Sequence, residues 1–215
     1  MLTIKKAKAL IQELKEKEIT LGRKAETWFT YENHVMTAAN IAKTIASKIP
    51  GMNAENVCVS AMLHDICRTE EDREQRFHGI LGYEKLKDID EKSAISALLH
   101  SFPWNVLPEY EQYSQMFFYK KEDYDFIASF IKSHQTTDED LLIQLADSLA
   151  NKDGVVTLEQ RAKEYSERHG IEITPEEIEP RYKLKAYFDA KVGCDIYDLL
   201  KCNHHPISYK EKCLK

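Results

Sequence analysis

Apolar positions recur every three to four residues over most of this chain, and strict alternation is scarce. That periodicity predicts helices rather than strands. The first helix is read at residues 4–18, with Ile4, Ala7, Ile11 and Leu14 on one face and lysines and glutamates opposite. A second, at residues 31–48, carries the stripe Ala38, Ile41 and Ile45 and stops at Ile49-Pro50-Gly51. Asn53 is a good N-cap for a third, with Glu55 in its first turn. That helix runs into Ala61-Met62-Leu63-His64-Asp65-Ile66-Cys67-Arg68.

Residues 69–77 are densely charged and read as a solvated loop or short helix. In His78-Gly79-Ile80-Leu81-Gly82, two glycines interrupt a helical pattern, which points to closely packed backbones. A short apolar helix at residues 91–100 ends at Ser101-Phe102-Pro103. Residues 104–121 then turn aromatic, with Trp104, Tyr110, Tyr113, Phe117, Phe118 and Tyr119. This is an inserted segment, either a lid over a site or a further layer of core. Another helix spans residues 122–134. Thr137-Asp138-Glu139-Asp140 opens the next, its acidic residues suited to the helix dipole. That helix sets Asp147 among Leu141, Leu142, Leu145, Ala146 and Leu149. After Asp153-Gly154 the chain is more charged. Thr174-Pro175-Glu176-Glu177 reads as a helix start, and residues 182–200 are amphipathic. The expected architecture is all-α. A helical domain over residues 1–155 carries the aromatic insertion at about 104–121, and a helical extension over 156–215 packs on it and ends in a polar tail.

Composition narrows the function more than the fold. The chain has 215 residues, 43% apolar and 31% charged, the balance of a soluble globular protein. No apolar run approaches the ~20 residues that span a bilayer, and the first residues show no secretory apolar region. Five cysteines, odd in number and irregularly spaced, suit reduced thiols and a cytoplasmic setting. A net charge of −6 argues against long nucleic acid as a partner. Small phosphorylated molecules stay open, since a few local basic residues suffice to hold them. Neither a membrane partner nor a fixed oligomeric state is implied, and self-association is open. Cys202, His204 and His205, with Cys194 and Cys213, match no regular zinc pattern and are expected in a surface tail.

The candidate chemistry lies in polar residues on apolar stripes. His34 falls four positions before Ala38, and His64, Asp65, His100 and Asp147 sit in apolar helical segments. Any one of them alone is more often a hydrogen-bonded core residue than a ligand. Several together change the weighing. Imidazoles and carboxylates are the ligand set of Fe, Mn, Zn, Ni or Mg, and burying so many without a cation leaves them hard to satisfy.

Taken in order, His34, then His64-Asp65, then Asp147 in Gln144-Leu145-Ala146-Asp147 resembles the HD-domain metal-dependent phosphohydrolase superfamily. Its pattern is H…HD…D on an all-α scaffold, and the likeness covers about residues 25–155. It implies one or two divalent metal ions. His78, with Gly82 four positions on, and His100 are similar to the extra histidines of the two-metal, HDIG-like branch. In that scheme His34, His64 and Asp147 bind one ion, and Asp65 bridges it to a second held by His78 and His100. A water between the ions then becomes the nucleophile toward a phosphate ester, with a nucleotide as the expected substrate. Arg68 matches the basic residue of the sub-motif. It either holds phosphate or pairs with Glu70, Glu71 or Asp72. His134 is either a further ligand or a substrate contact. Cys67 takes the place of the sub-motif's glycine and is not read as a nucleophile, because nothing but Arg68 would lower its pKa. Two other readings stay open: a two-iron, oxygen-dependent enzyme of the same superfamily, and a non-catalytic module that binds nucleotide or metal.

Overall fold

Between Val57 and Leu63 every side chain is buried, so beyond its first turn α3 (Ala54–Leu63) has no solvent face. A helix apolar all round belongs in the middle of a bundle. Here α3 packs against α1 (Ile4–Thr20), α2 (Ala25–Ala46), α6 (Glu91–Leu99) and α9 (Asp138–Ser148). The computed structural model describes residues 2–117, 120–170 and 172–202. The polar tail from residue 203, with His204, His205 and Cys213, and the aromatic residues Phe118 and Tyr119 lie outside them.

The expected helices form, with informative differences at their ends. Asn53 caps α3 by accepting from the backbone N–H of Glu55 and Asn56. Helix α2 begins six residues earlier than its stripe suggests, at Ala25, because Tyr31 and Trp28 continue the buried face about two and three turns before Ala38. Thr27 and Thr30 mask that continuation in the sequence. Helix α4 (Glu71–Glu74) is a single turn in the charged segment.

Helices α5 (His78–Leu86) and α6 form an antiparallel pair held unusually close by glycine. A Cβ on Gly79 would come within 2.8 Å of the Ala97 carbonyl, and one on Gly82 within 2.9 Å of the Ala97 Cβ. The glycines thus let two backbones touch where any side chain would force them apart.

The aromatic segment divides. Pro103–Asn105 is a 3₁₀ turn with Trp104 and Asn105 at positive φ, and α7 (Tyr110–Phe117) follows. Tyr113 is fully buried, with ring contacts to Phe77, Phe102 and Tyr124. It belongs to a second core with Ile80, Leu98 and Ile127, beneath α8 (Lys121–Ser133). At Tyr113 the extra-core alternative is the one observed.

Beyond α9 comes a two-stranded antiparallel ribbon, β1 (Ala150–Asn151) and β2 (Gly154–Val155), with Ala150 opposite Val155. Strands of two residues are too short for periodicity to register. Capping boxes at Thr157 and Thr174 start α10 (Leu158–His169) and α11 (Pro175–Val192), and α12 (Ile196–Leu199) follows. Helix α11 lies against α9, the 3₁₀ turn and α10. Among the described residues the chain is all-α apart from the ribbon, and no helix is long and apolar enough to cross a membrane.

Candidate metal centre

Two of the histidines close helices in the same way. His64 is the C-cap of α3 and His100 the C-cap of α6, each preceded by alanine three positions earlier. The last carbonyls of a helix lack an intrahelical partner. His64 Nδ1 lies 2.7 Å from the Ala61 carbonyl and His100 Nδ1 lies 2.9 Å from the Ala97 carbonyl. A carbonyl only accepts, so Nδ1–H donates, and each Nε2 is left turned inward as the nitrogen that can ligate. His78, at the start of α5, reaches the same state differently. Its Nδ1 is 3.1 Å from Glu71 Oε1, a carboxylate acceptor. His34 comes from the middle of α2, and Asp147 from the last turn of α9.

Asp65 follows the α3 cap, and its two oxygens face opposite ways. Oδ2 is 3.7 Å from both His34 Nε2 and His64 Nε2, whereas Oδ1 is 3.1 Å from His78 Nε2 and 3.3 Å from His100 Nε2. Asp147 Oδ1 closes the first group, 3.0 Å from His34 Nε2 and 3.6 Å from His64 Nε2. The His78 and His100 Nε2 atoms are 3.1 Å apart. The structure therefore brings together all six residues that the family resemblance implied as ligands.

Electrostatics inside this cluster pull against burial. Burial disfavours ionised carboxylates, yet His64, His78 and His100 hold Asp65 well below the usual carboxylate range, and His34 and His64 do so for Asp147. Burial likewise opposes charge on His64, but Asp65 and Asp147 push its pKa up to about 9. Against the same burial, Asp65 and Glu71 raise His78. His100 goes down, through burial and the charges of His64 and His78. Two anionic carboxylates among buried imidazoles call for a cation, which can be protons or a metal ion.

The residues fit a metal. His64 Nε2 is fully buried and has no hydrogen-bond partner, since both neighbouring carboxylates lie beyond hydrogen-bonding distance. A buried ring nitrogen without a partner, turned toward two carboxylates, is what a ligand nitrogen looks like before its ion is counted. Two triplets, His34–His64–Asp147 and His64–Asp65–His100, have ligand atoms within 4.8 Å of one another. The Tyr31 hydroxyl, one turn before His34, is also buried without a hydrogen-bond partner, and burial and Asp65 raise its pKa.

Arg68 and His134 sit differently. Arg68 pairs with Glu71, and its Nη1 lies 3.2 Å from His78 Nδ1. Its side chain is 47% exposed at the edge of the cluster. His134 is drawn to the start of α9, with Nε2 2.9 Å from Asp140 Oδ2 and its ring stacked on Phe130. Asp140 serves that helix's capping box, so His134 is held by a capping carboxylate. Cys67 is buried, and burial pushes its thiol up to about 12, which suits an inert core residue. Glu71 is the residue that spacing alone did not reveal. It is buried, orients His78 and anchors Arg68. The available signal was a glutamate seven positions before the histidine in a charged segment.

Comparison with curated proteins and with solved structures gives no match. A family model for the HD domain does match, over residues 31–152, more than half the chain. That span holds His34, His64, Asp65, His78, His100 and Asp147, and the chain belongs to the HD-domain family, most of whose members are metal-dependent hydrolases.

Proposed function

We propose that this protein is a metal-dependent phosphohydrolase acting on a nucleotide or another small phosphate ester. The observation that carries the reading is Asp65, whose two oxygens face two separate imidazole pairs. In this reading His34, His64 and Asp147 hold one divalent ion, His78 and His100 a second, and Asp65 serves both. Imidazole nitrogen with carboxylate oxygen suits Fe, Mn, Zn or Ni, and Mg less well. Divalent ions held there supply a water of lowered pKa and positive charge against the phosphoryl oxygens.

The chain's own residues prepare that chemistry. Hydrogen bonds from Nδ1 to Ala61, Glu71 and Ala97 hold three imidazoles in the ligating tautomer. Arg68 offers a planar fork to phosphate at the His78 edge, steadied by Glu71. A net charge of −6 favours a small anion, met by local cations, over a long polyanion.

The test is metal analysis of the purified protein, followed by a screen of nucleoside mono-, di- and polyphosphates. His64→Ala and Asp65→Ala should each lose both metal and phosphate release. Full metal content in the double variant would overturn the reading. So would oxygen uptake by iron-loaded protein without any phosphate release.

A further inference from the structure

Seven arginines occur in the chain, and six of them form ion pairs with carboxylates. Arg181 is the exception among the described residues. Half-buried on α11, it donates from Nη1 to the Glu177 carbonyl at 3.2 Å, and no carboxylate pairs with it. A guanidinium carries five N–H donors in a planar fork. Holding one half out of water without an anion is costly unless an anion comes to it.

The packing of α11 fixes where that fork stands. The helix runs antiparallel to α9. At one end Tyr187 Oη and Lys191 Nζ each lie 2.6 Å from Asp138, the first residue of α9. At the other end Trp104 ties the two helices together. Its backbone N–H donates to Gln144 Oε1 at 2.9 Å, and its indole Nε1–H donates to the Pro180 carbonyl at 3.0 Å. Gln144 lies one turn before Asp147, and Pro180 immediately precedes Arg181. This clamp places the α11 turn that carries Arg181 beside the α9 turn that leads into Asp147, while Arg68 stands beside His78.

We propose that Arg181 is a substrate-binding residue that holds the phosphoryl group at the Asp147 end of the centre, so that α11 completes a site whose metal ligands all come from the HD domain. The proposal rests on the phosphohydrolase reading above. Burial pulls the Arg181 pKa down and the Asp147 carboxylate pulls it up, so the two charges sense each other without pairing. A phosphoryl oxygen is the partner that fits. It is anionic, it matches the fork in bidentate geometry, and the reading already brings it to Asp147. Trp104, locked to Pro180, gives the position a fluorescent reporter.

The experiment titrates inorganic phosphate into the metal-loaded full chain by calorimetry and Trp fluorescence, alongside steady-state kinetics. It compares the wild type with Arg181→Met, Arg181→Lys and the exposed control Lys183→Met. Arg181→Met should keep its metal, lose phosphate affinity about tenfold, the worth of one charge-assisted hydrogen bond, and raise KM more than it lowers kcat. Arg181→Lys should recover part of the affinity, and Lys183→Met all of it. Wild-type phosphate affinity and KM in Arg181→Met would overturn the proposal. So would loss of metal in both Arg181 variants, which would make the residue a support for Asp147, or an equal loss in Lys183→Met, which would make the effect one of net charge. If the wild type hydrolyses phosphate esters and the Arg181 variants match it, this proposal falls alone. If the wild type holds no metal and hydrolyses none, the phosphohydrolase reading falls with it.

Discussion

His64 and His100 are oriented by one device used twice: each ends a helix and commits its Nδ1–H to the carbonyl of an alanine three residues back, at 2.7 and 2.9 Å. The device leaves Nε2 of each pointing at Asp65, His64 toward Oδ2 and His100 toward Oδ1. The two histidines therefore serve opposite sides of one carboxylate.

Their removal should have unequal effects. His100→Asn leaves the triplet His34–His64–Asp147 intact. Its metal content should fall toward one equivalent, whereas His64→Ala should fall toward none, because His64 belongs to both His34–His64–Asp147 and His64–Asp65–His100. Elemental analysis of the two variants, purified in parallel, decides it, and equal stoichiometries would contradict the division.

Glu71→Gln tests orientation without touching a ligand. Glu71 Oε1 accepts from His78 Nδ1, and the amide weakens that acceptor while keeping the shape. Metal affinity at the His78 side should drop about 10- to 100-fold, the usual cost of losing such a partner. Chelator competition measures it, and an unchanged dissociation constant would remove Glu71 from the site.

The chelated protein should lose stability as the solution turns alkaline. His64 is raised to about 9 in the fold. A raised imidazole stabilises fully below its unfolded pKa of about 6.5 and ceases to as pH climbs through its folded value. The loss should be about 3 kcal/mol between pH 6.5 and 9.5, with His78 adding in the same direction. Metal-loaded protein should lack this alkaline loss, because the cation replaces the proton. Urea melts at the two pH values, with and without chelator, show whether the slopes diverge as stated.

Gly82→Ala probes the helix contact that brings His78 to His100. The new Cβ would stand 2.9 Å from that of Ala97, too close for the two helices to keep their spacing. Destabilisation of about 1–3 kcal/mol is expected, with weaker metal binding as α5 shifts from α6. A variant as stable as wild type would show that the two helices can separate freely.

What the amino-acid order settled by itself was local. Heptad-like stripes placed the helices, Asn53 and Thr174 marked their starts, and His34, His64, Asp65 and Asp147 could be picked out as polar residues on apolar faces. Those are properties of neighbours three and four positions apart, which a helix turns into one face. The glycine pair signalled close packing because a missing Cβ is visible in the letters. Tertiary structure decided what depends on distant segments meeting. It parted the two oxygens of Asp65 between histidines from α2, α3, α5 and the end of α6, and tied Arg68 to Glu71. It gave His134 to Asp140, a pairing the spacing could not favour over the metal cluster. It also tied α11, from outside the matched domain, to α9 through Trp104, Gln144 and Pro180. Side-chain direction at such range is set by packing between helices, and no periodicity within one helix encodes it.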